Sequence, residues 1–347
     1  MATNKRLGKL LEKAESGDTE SQYLLGCTYK LGINVEHDPT QARIWFERAA
    51  DAGHPKAQYN LAISYAQGDG DARSEELCTF WLHKAARNNI PIAQYYLGIW
   101  YWHGRGINQD KDAAFQWINR AAEQGFADAQ IWLAETHLNG EHGTPDEAKA
   151  RYWYTKAAQQ GDKEAQYRLG VLYLRPRKLN QDKGLGFRWM EAAAIQGKIE
   201  AMMETGLLYS MGLGCKMDYA NAVGWFKEAA LHSEITAQIL LGSAYVTGTS
   251  EISNDEIAAY WFSQSMQICA NDKILPTLAK TVFHGHILPE DHVSCYVLLA
   301  MQNALFPDNK YSLETTATTL TEEQLERAER IVGMVRDSSK TNRDMLH

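Results

Sequence analysis

Apolar and polar positions along this chain follow a helical rhythm, and the rhythm itself repeats. Tryptophans at Trp45, Trp81, Trp117, Trp153, Trp189, Trp225 and Trp261 are each separated from the next by 36 residues. Self-similarity at a fixed period of about 20 to 50 residues marks an array whose units bury their apolar faces only by stacking on one another. Within each unit a small residue stands at Ser21, Ala57, Ala93, Ala129, Ala165, Ala201 and Ala237. Four residues on come Leu25, Leu61, Leu97, Leu133, Leu169, Thr205 and Leu241, followed by glycine or alanine from Gly26 to Gly242. Eight on stand Tyr29, Tyr65, Tyr101, His137, Tyr173, Tyr209 and Tyr245. Offsets 0, 4 and 8 share one face of an α-helix, here called helix A.

Helix A should end at Gly32, Gly68, Gly104, Gly140, Gly212 and Gly248, where the chain can turn through positive φ; Pro176 interrupts that series. Next come Asp38, Ser74, Asp110, Asp146, Asp182, Asp218 and Asn254, side chains able to accept from the unpaired N–H groups of a new helix. That second helix, helix B, carries the tryptophan and then an alanine pair, from Ala49 and Ala50 to Ala229 and Ala230. Gly17, Gly53, Gly125, Gly161 and Gly197 close it, with Asn89 and Ser233 in the same slot. The periodic tryptophans and tyrosines are read as core, so Trp153→Ala is expected to cost about 3–5 kcal/mol by cavity formation.

These blocks, AQYxLGxxY, GxG and WFxxAAxxG, cover residues 21–272 and resemble the Sel-one-like repeat family, a branch of the tetratricopeptide-like helical hairpins. Ordinary tetratricopeptide repeats run at about 34 residues with a different block order. The resemblance implies an all-α fold, a right-handed α-α superhelical solenoid of tandem hairpins. It also implies a concave face, lined by helix A, that holds a protein or peptide partner. Residues 1–20 are expected to form an N-terminal cap, a lone helix B over 5–16. Seven repeats should fill 21–272, and a degenerate eighth 273–306, with Leu278, Ala279, Val282 and Gly285 in helix-A slots and Tyr296 and Ala300 in helix-B slots. Residues 307–347 then carry a terminal helix, opened by a Thr321–Gln324 capping box and bearing the stripe Leu325, Ala328, Val332 and Val335, with a frayed polar tail.

The formal net charge of −8 lacks the basic footprint of a nucleic-acid binder. The start has no apolar stretch of signal-peptide length, and no segment approaches the roughly 20 apolar residues that span a bilayer. Five cysteines, Cys27, Cys78, Cys215, Cys269 and Cys295, share no CxxC spacing and no repeat phase, which fits reduced thiols. The expectation is a cytoplasmic, bacterial adaptor, monomeric or a weak dimer, with no nucleic acid and no membrane insertion.

Of ten tryptophans, three lie outside the framework: Trp100, Trp102 and Trp132, all on helices A of two adjacent repeats. Offsets 3, 7 and 10 are read as opposing the anchor face. On that reading Tyr96, Trp100, His103, Trp132, Asn139, Arg168 and Arg175 make up the partner-binding surface, with the two arginines on one helix gripping a carboxylate. Trp102, at offset 9, is placed nearer the seam between repeats, and packing between repeats is the competing placement for all these aromatics. The GxG pairs at Gly68 and Gly70, Gly104 and Gly106, and Gly212 and Gly214 follow no strand and are read as turns. His284, His286, His292 and Cys295 match no standard zinc spacing, so neither metal nor cofactor is expected. Isolated acids such as Glu135 and Glu204 show no catalytic partner, and no catalytic residue is assigned. The other function classes considered are a secretion- or toxin-system accessory, such as an immunity protein, and a hydrolase.

Overall fold

In the computed structural model, residues 2–69, 73–175, 182–249, 253–269, 271–308 and 311–344 are described; Gly70 and Pro176 lie outside them. The described residues form nineteen helices in tandem and no strand. A first helix, α1 (Ala2–Glu15), precedes the repeats. Helices A are α2 (Thr19–Leu31), α4 (Pro55–Gln67), α6 (Pro91–His103), α8 (Ala127–Asn139), α10 (Lys163–Leu174), α12 (Ile199–Met211) and α14 (Ile235–Thr247). Helices B are α3 (Pro39–Asp51), α5 (Glu75–Arg87), α7 (Lys111–Glu123), α9 (Glu147–Gln159), α11 (Lys183–Ile195), α13 (Tyr219–Leu231) and α15 (Asp255–Ile268). The chain divides into two compact units, Met1–Gln160 and Gly161–His347.

Helix boundaries fall where local chemistry puts them. Each of Asp38, Ser74, Asp110, Asp146, Asp182, Asp218 and Asn254 caps its helix B by accepting a backbone N–H two or three residues on. At the far end of helix B, Asn89 and Ser233 take the left-handed conformation, at φ 60° and 63°, that glycine takes in the other repeats.

The deepest residue of helix B is the one after the tryptophan. Phe46, Leu82, Ile118, Met190, Phe226 and Phe262 are 0–1% exposed, as is Tyr154, whereas Trp117, Trp153, Trp189, Trp225 and Trp261 are half-buried; of the periodic tryptophans, Trp45 and Trp81 alone are buried. One residue turns a helix by about 100°, so the pair cannot both face the facing helix A squarely. The expected cavity cost at Trp153 therefore belongs to Tyr154. Half-buried Trp117 instead lies under a cation one turn on, Arg120 at 4.7 Å, as Arg48 does over the buried Trp45 at 4.5 Å. The glycine of helix A is the counterpart of this plug. A Cβ on Gly206 would lie 2.5 Å from the Phe226 ring, and one on Gly98 2.4 Å from Ile118, so the two helices approach through a missing side chain.

A ladder built on buried glutamines ties helix A to the helix before it in several repeats, whereas the sixth repeat holds Met202 in that slot. Gln22, Gln58, Gln94, Gln130 and Gln238 each donate from Nε2 to the carbonyl of the last alanine of the preceding helix B, at 2.9–3.4 Å. Asn88, Gln124, Gln160 and Gln196 then donate to Oε1 of Gln58, Gln94, Gln130 and Gln166 at 2.6–2.9 Å. Where the donor's slot holds Ala52 or Ile268, the facing Oε1 of Gln22 or Gln238 is buried without a partner. Ala52 has φ −76° and ψ 4°, nearly those of Gln124 at −79° and 0°, so Ala52→Gln completes the rung. It is expected to raise stability by about 0.5–1.5 kcal/mol, and an unchanged or lower denaturation midpoint would refute the assignment.

Further helices pack before the first repeat and after the seventh. α1 begins earlier than its expected start, and Leu7, Leu10 and Leu11 pack against Ala14, Leu25 and Trp45. In the second unit, α16 (Ile274–Phe283) and α17 (His292–Leu305) form the eroded eighth hairpin, with Leu278, Ala279, Val282 and Ala300 buried and Gly285 at φ 63°. After the short α18 (Glu314–Ala317), α19 (Glu322–Asp344) opens with the capping box: Thr321 N–H donates to Gln324 Oε1 at 2.9 Å, and Gln324 N–H to Thr321 Oγ1 at 3.2 Å. It packs on α15 and α17 through Ala328, Ile331, Val332 and Val335. The segment expected to fray is helical as far as Asp344, and residues 345–347 lie outside the described ones.

Candidate functional site

In the first unit, helices α6 and α8 present an aromatic face. Tyr96 is half-buried and stacks on Tyr59 at 6.3 Å, with Tyr95 edge-on at 5.4 Å. Trp132 is half-buried and meets Trp102 edge-to-face at 5.0 Å; Lys111 Nζ stands 4.6 Å over the Trp102 ring. Trp102 thus belongs to the same ring group as Trp132 and is part of the accessible face. Tyr95 packs on Phe126 at 5.4 Å, and burial, then Asp128, Tyr96 and Glu135, push its hydroxyl up to about 12. His103 and Asn139 are exposed at the ends of α6 and α8, and Asn139 Nδ2 donates to Glu141 Oε1 at 3.2 Å.

Trp100 does not belong to that face. It is 8% exposed and sits in the core with Tyr65, Trp81, Leu82 and Leu97. Offset 7 lies only about 20° from offset 0 around a helix, not opposite it. From the second repeat on, the residue there is buried: Ser64, Trp100, Thr136, Leu172, Leu208 and Ala244; Thr28 in the first repeat is half-buried. Offsets 2, 6 and 9 are the ones that oppose the anchor face, and in α6 they are Tyr95, Ile99 and Trp102, all half-buried. Sequence reasoning passed over Tyr95 and Ile99, although their angular position alone identifies them.

The two arginines lie in the second unit. Arg168 Nε donates to Glu164 Oε1 at 2.7 Å one turn away on α10, and Lys198 Nζ shares that carboxylate from 2.8 Å. Arg175 is past the end of α10, in an extended conformation at φ −59° and ψ 133°, and is exposed. The pair therefore does not form a two-pronged grip on one helix, because α10 stops at Leu174 where the other helices A run a residue further.

The histidine cluster also separates. His284 and His286 face each other at 5.5 Å, whereas His292 stacks on Phe283 at 4.4 Å and pairs with Glu290. Cys295 is buried, and burial first of all pushes its thiol up to about 11. Among the described residues no three His, Cys, Asp or Glu side chains come together as a metal site.

The Sel1 repeat model matches this chain at residues 19–54, 55–90, 91–126, 127–162, 163–198, 199–233 and 235–265. The chain belongs to the Sel1 repeat family. Among solved structures, this Sel1 repeat chain is similar to a protective antigen of uropathogenic Escherichia coli strains displaying an SLR fold. That pair shares 26% identity at a TM-score of 0.66, over 96% of this chain and 72% of the other. It is also similar to a Sel1 repeat protein from Oxalobacter formigenes, at 27% identity and TM-score 0.62, over 91% of each chain. No curated protein matches it. Sel1 repeat proteins are in general protein-interaction scaffolds, and no helix among the described residues is long and apolar enough to cross a membrane.

Proposed function

We propose that this Sel1 repeat chain is an adaptor that holds a segment of a partner protein on the helix-A face of its first unit. The observation that carries this is the half-buried aromatic surface of Tyr95, Tyr96, Trp102 and Trp132, of which Tyr95, Tyr96 and Trp132 rest on the core and are only partly covered by it. Tryptophan and tyrosine dominate interface energetics because they bury large, rigid area at low entropic cost. His103 and Asn139 supply polar contacts at the rim. Arg168 and Arg175 are proposed as an independent contribution to an acidic part of the partner. The ion pair of Arg168 with Glu164 means that its charge is shared before any partner arrives.

With a captured partner in hand, Trp132→Ala and Tyr96→Ala are each expected to weaken binding about tenfold or more, at on the order of 2 kcal/mol for a buried aromatic anchor. Trp100→Ala separates the readings: it should lower the melting temperature, and affinity should fall only as far as folding does. Titration calorimetry of folded variants measures this. Unchanged affinity in both Trp132→Ala and Tyr96→Ala would overturn the placement. Arg168→Glu should weaken the complex in a salt-dependent way, since an exposed charge contact is screened.

A further inference from the structure

We infer that the eighth hairpin carries a binding site for a small phosphate-class anion, independent of the aromatic face. The site is a pocket of about 680 Å³ lined by Lys273, Pro276, Thr277, Lys280, Thr281, His284, His286 and Tyr311. Its wall is one stripe of α16. Residues 273, 276, 277, 280, 281 and 284 recur at the three- and four-residue spacing that puts them on one side of a helix, while Leu275, Leu278, Ala279 and Val282 bury the other. Gly285, at φ 63°, turns the chain so that His286 faces His284 at 5.5 Å. Tyr311 closes the rim and is held there from both sides: Asn303 Nδ2 donates to its carbonyl at 2.8 Å, and its own N–H donates to Asn303 Oδ1 at 2.7 Å.

The chemistry of this pocket is one-sided. In a protein of net charge −8, the lining holds two ammonium groups, two imidazoles and a phenol, and among the described residues no carboxylate. Thr277 and Thr281 spend their hydroxyl protons on the carbonyls of Lys273 and Thr277, at 2.7 and 2.9 Å. The donors left to a ligand are therefore the lysines, the histidines and Tyr311, converging on one space. A metal cation between His284 and His286 would sit beside two fixed ammonium charges and lack a third ligand. An anion with several acceptor oxygens meets the opposite conditions, since each lysine offers a charge-assisted hydrogen bond. The volume suits a small molecule bearing one or two phosphate groups.

The test is calorimetric titration of the full chain with inorganic pyrophosphate, alongside zinc chloride and a poly-glutamate peptide. Saturable binding of pyrophosphate is expected. It should fall about tenfold for Lys280→Ala and about a hundredfold for Lys273→Ala with Lys280→Ala, at one charge-assisted contact per lysine. Lys280→Arg should bind nearly as the parent does, and so should a control lacking Lys149 and Lys156 on α9. Because all four lysines are exposed, these variants should keep the parent melting curve. Four outcomes would overturn the inference. They are no saturable pyrophosphate binding, binding undiminished in the double variant, an equal loss in the α9 control, and binding of zinc or poly-glutamate with none of pyrophosphate.

Discussion

Phe226→Ala is expected to destabilise the second unit by about 3–5 kcal/mol, the cost of removing a fully buried aromatic ring and leaving its cavity. Trp225→Ala, one residue earlier and part of the conspicuous periodic series, should cost less, roughly 1–2 kcal/mol, because that ring is only partly buried. The contrast follows from packing: Phe226 is 0% exposed and lies against Gly206, whereas Trp225 is half-buried. A repeat array unfolds in pieces, so a single global midpoint under-reports a local loss. Amide hydrogen exchange across α12, α13 and α14 is the appropriate measurement. Equal protection loss in the two variants, or a larger loss for Trp225→Ala, would show that the plug of the hairpin has been misassigned. The same logic makes Gly206→Val a severe change, since its Cβ would already meet the Phe226 ring at 2.5 Å.

The second large effect is expected at the C-terminal end. Ending the chain before Thr321 removes α19 and uncovers the apolar sides of α15 and α17 on which it packs. A solenoid end left open in this way is a site for association. Light scattering should show the shortened chain aggregating, and a monomeric product with the parent melting curve would contradict the capping role. A milder probe is Arg327→Ala. Arg327 joins the helix to the seventh repeat by donating to Asp255 Oδ1 at 2.6 and 2.8 Å, to the Val246 carbonyl at 2.9 Å and to Ser253 Oγ at 2.7 Å. Burial alone would raise the pKa of Asp255, but the hydrogen bonds and charges of Arg327 and Arg330 outweigh it and hold the carboxyl below its ordinary value. A depressed folded-state pKa contributes stability above the unfolded value, about 3.9, and loses it as pH falls through the folded one. The stability gap between parent and Arg327→Ala should therefore be full at neutral pH and narrow below about pH 4. A gap independent of pH would mean that the tie is packing and not charge.

What could be read from the chain was whatever depends on neighbours in sequence. The 36-residue phase, the N-cap side chains from Asp38 to Asn254, the left-handed closures at Asn89 and Ser233, and the Thr321–Gln324 box are settled within a few residues of backbone, so residue type and spacing determine them. The tertiary structure decided everything that turns on how a helix is rotated against its neighbour. One position is about 100° of rotation, enough to exchange Trp225 for Phe226 in the core and to take Trp100 inside while leaving Tyr96 and Trp132 accessible. Trp102 shows the same dependence, since only the placement of α8 against α6 brings it to Trp132. The glutamine ladder was equally hidden. Gln94 and Gln124 are 30 residues apart and read in sequence as ordinary polar positions, yet the fold buries the Gln94 amide and the exposed Gln124 at the end of the paired helix B supplies the partner it then needs.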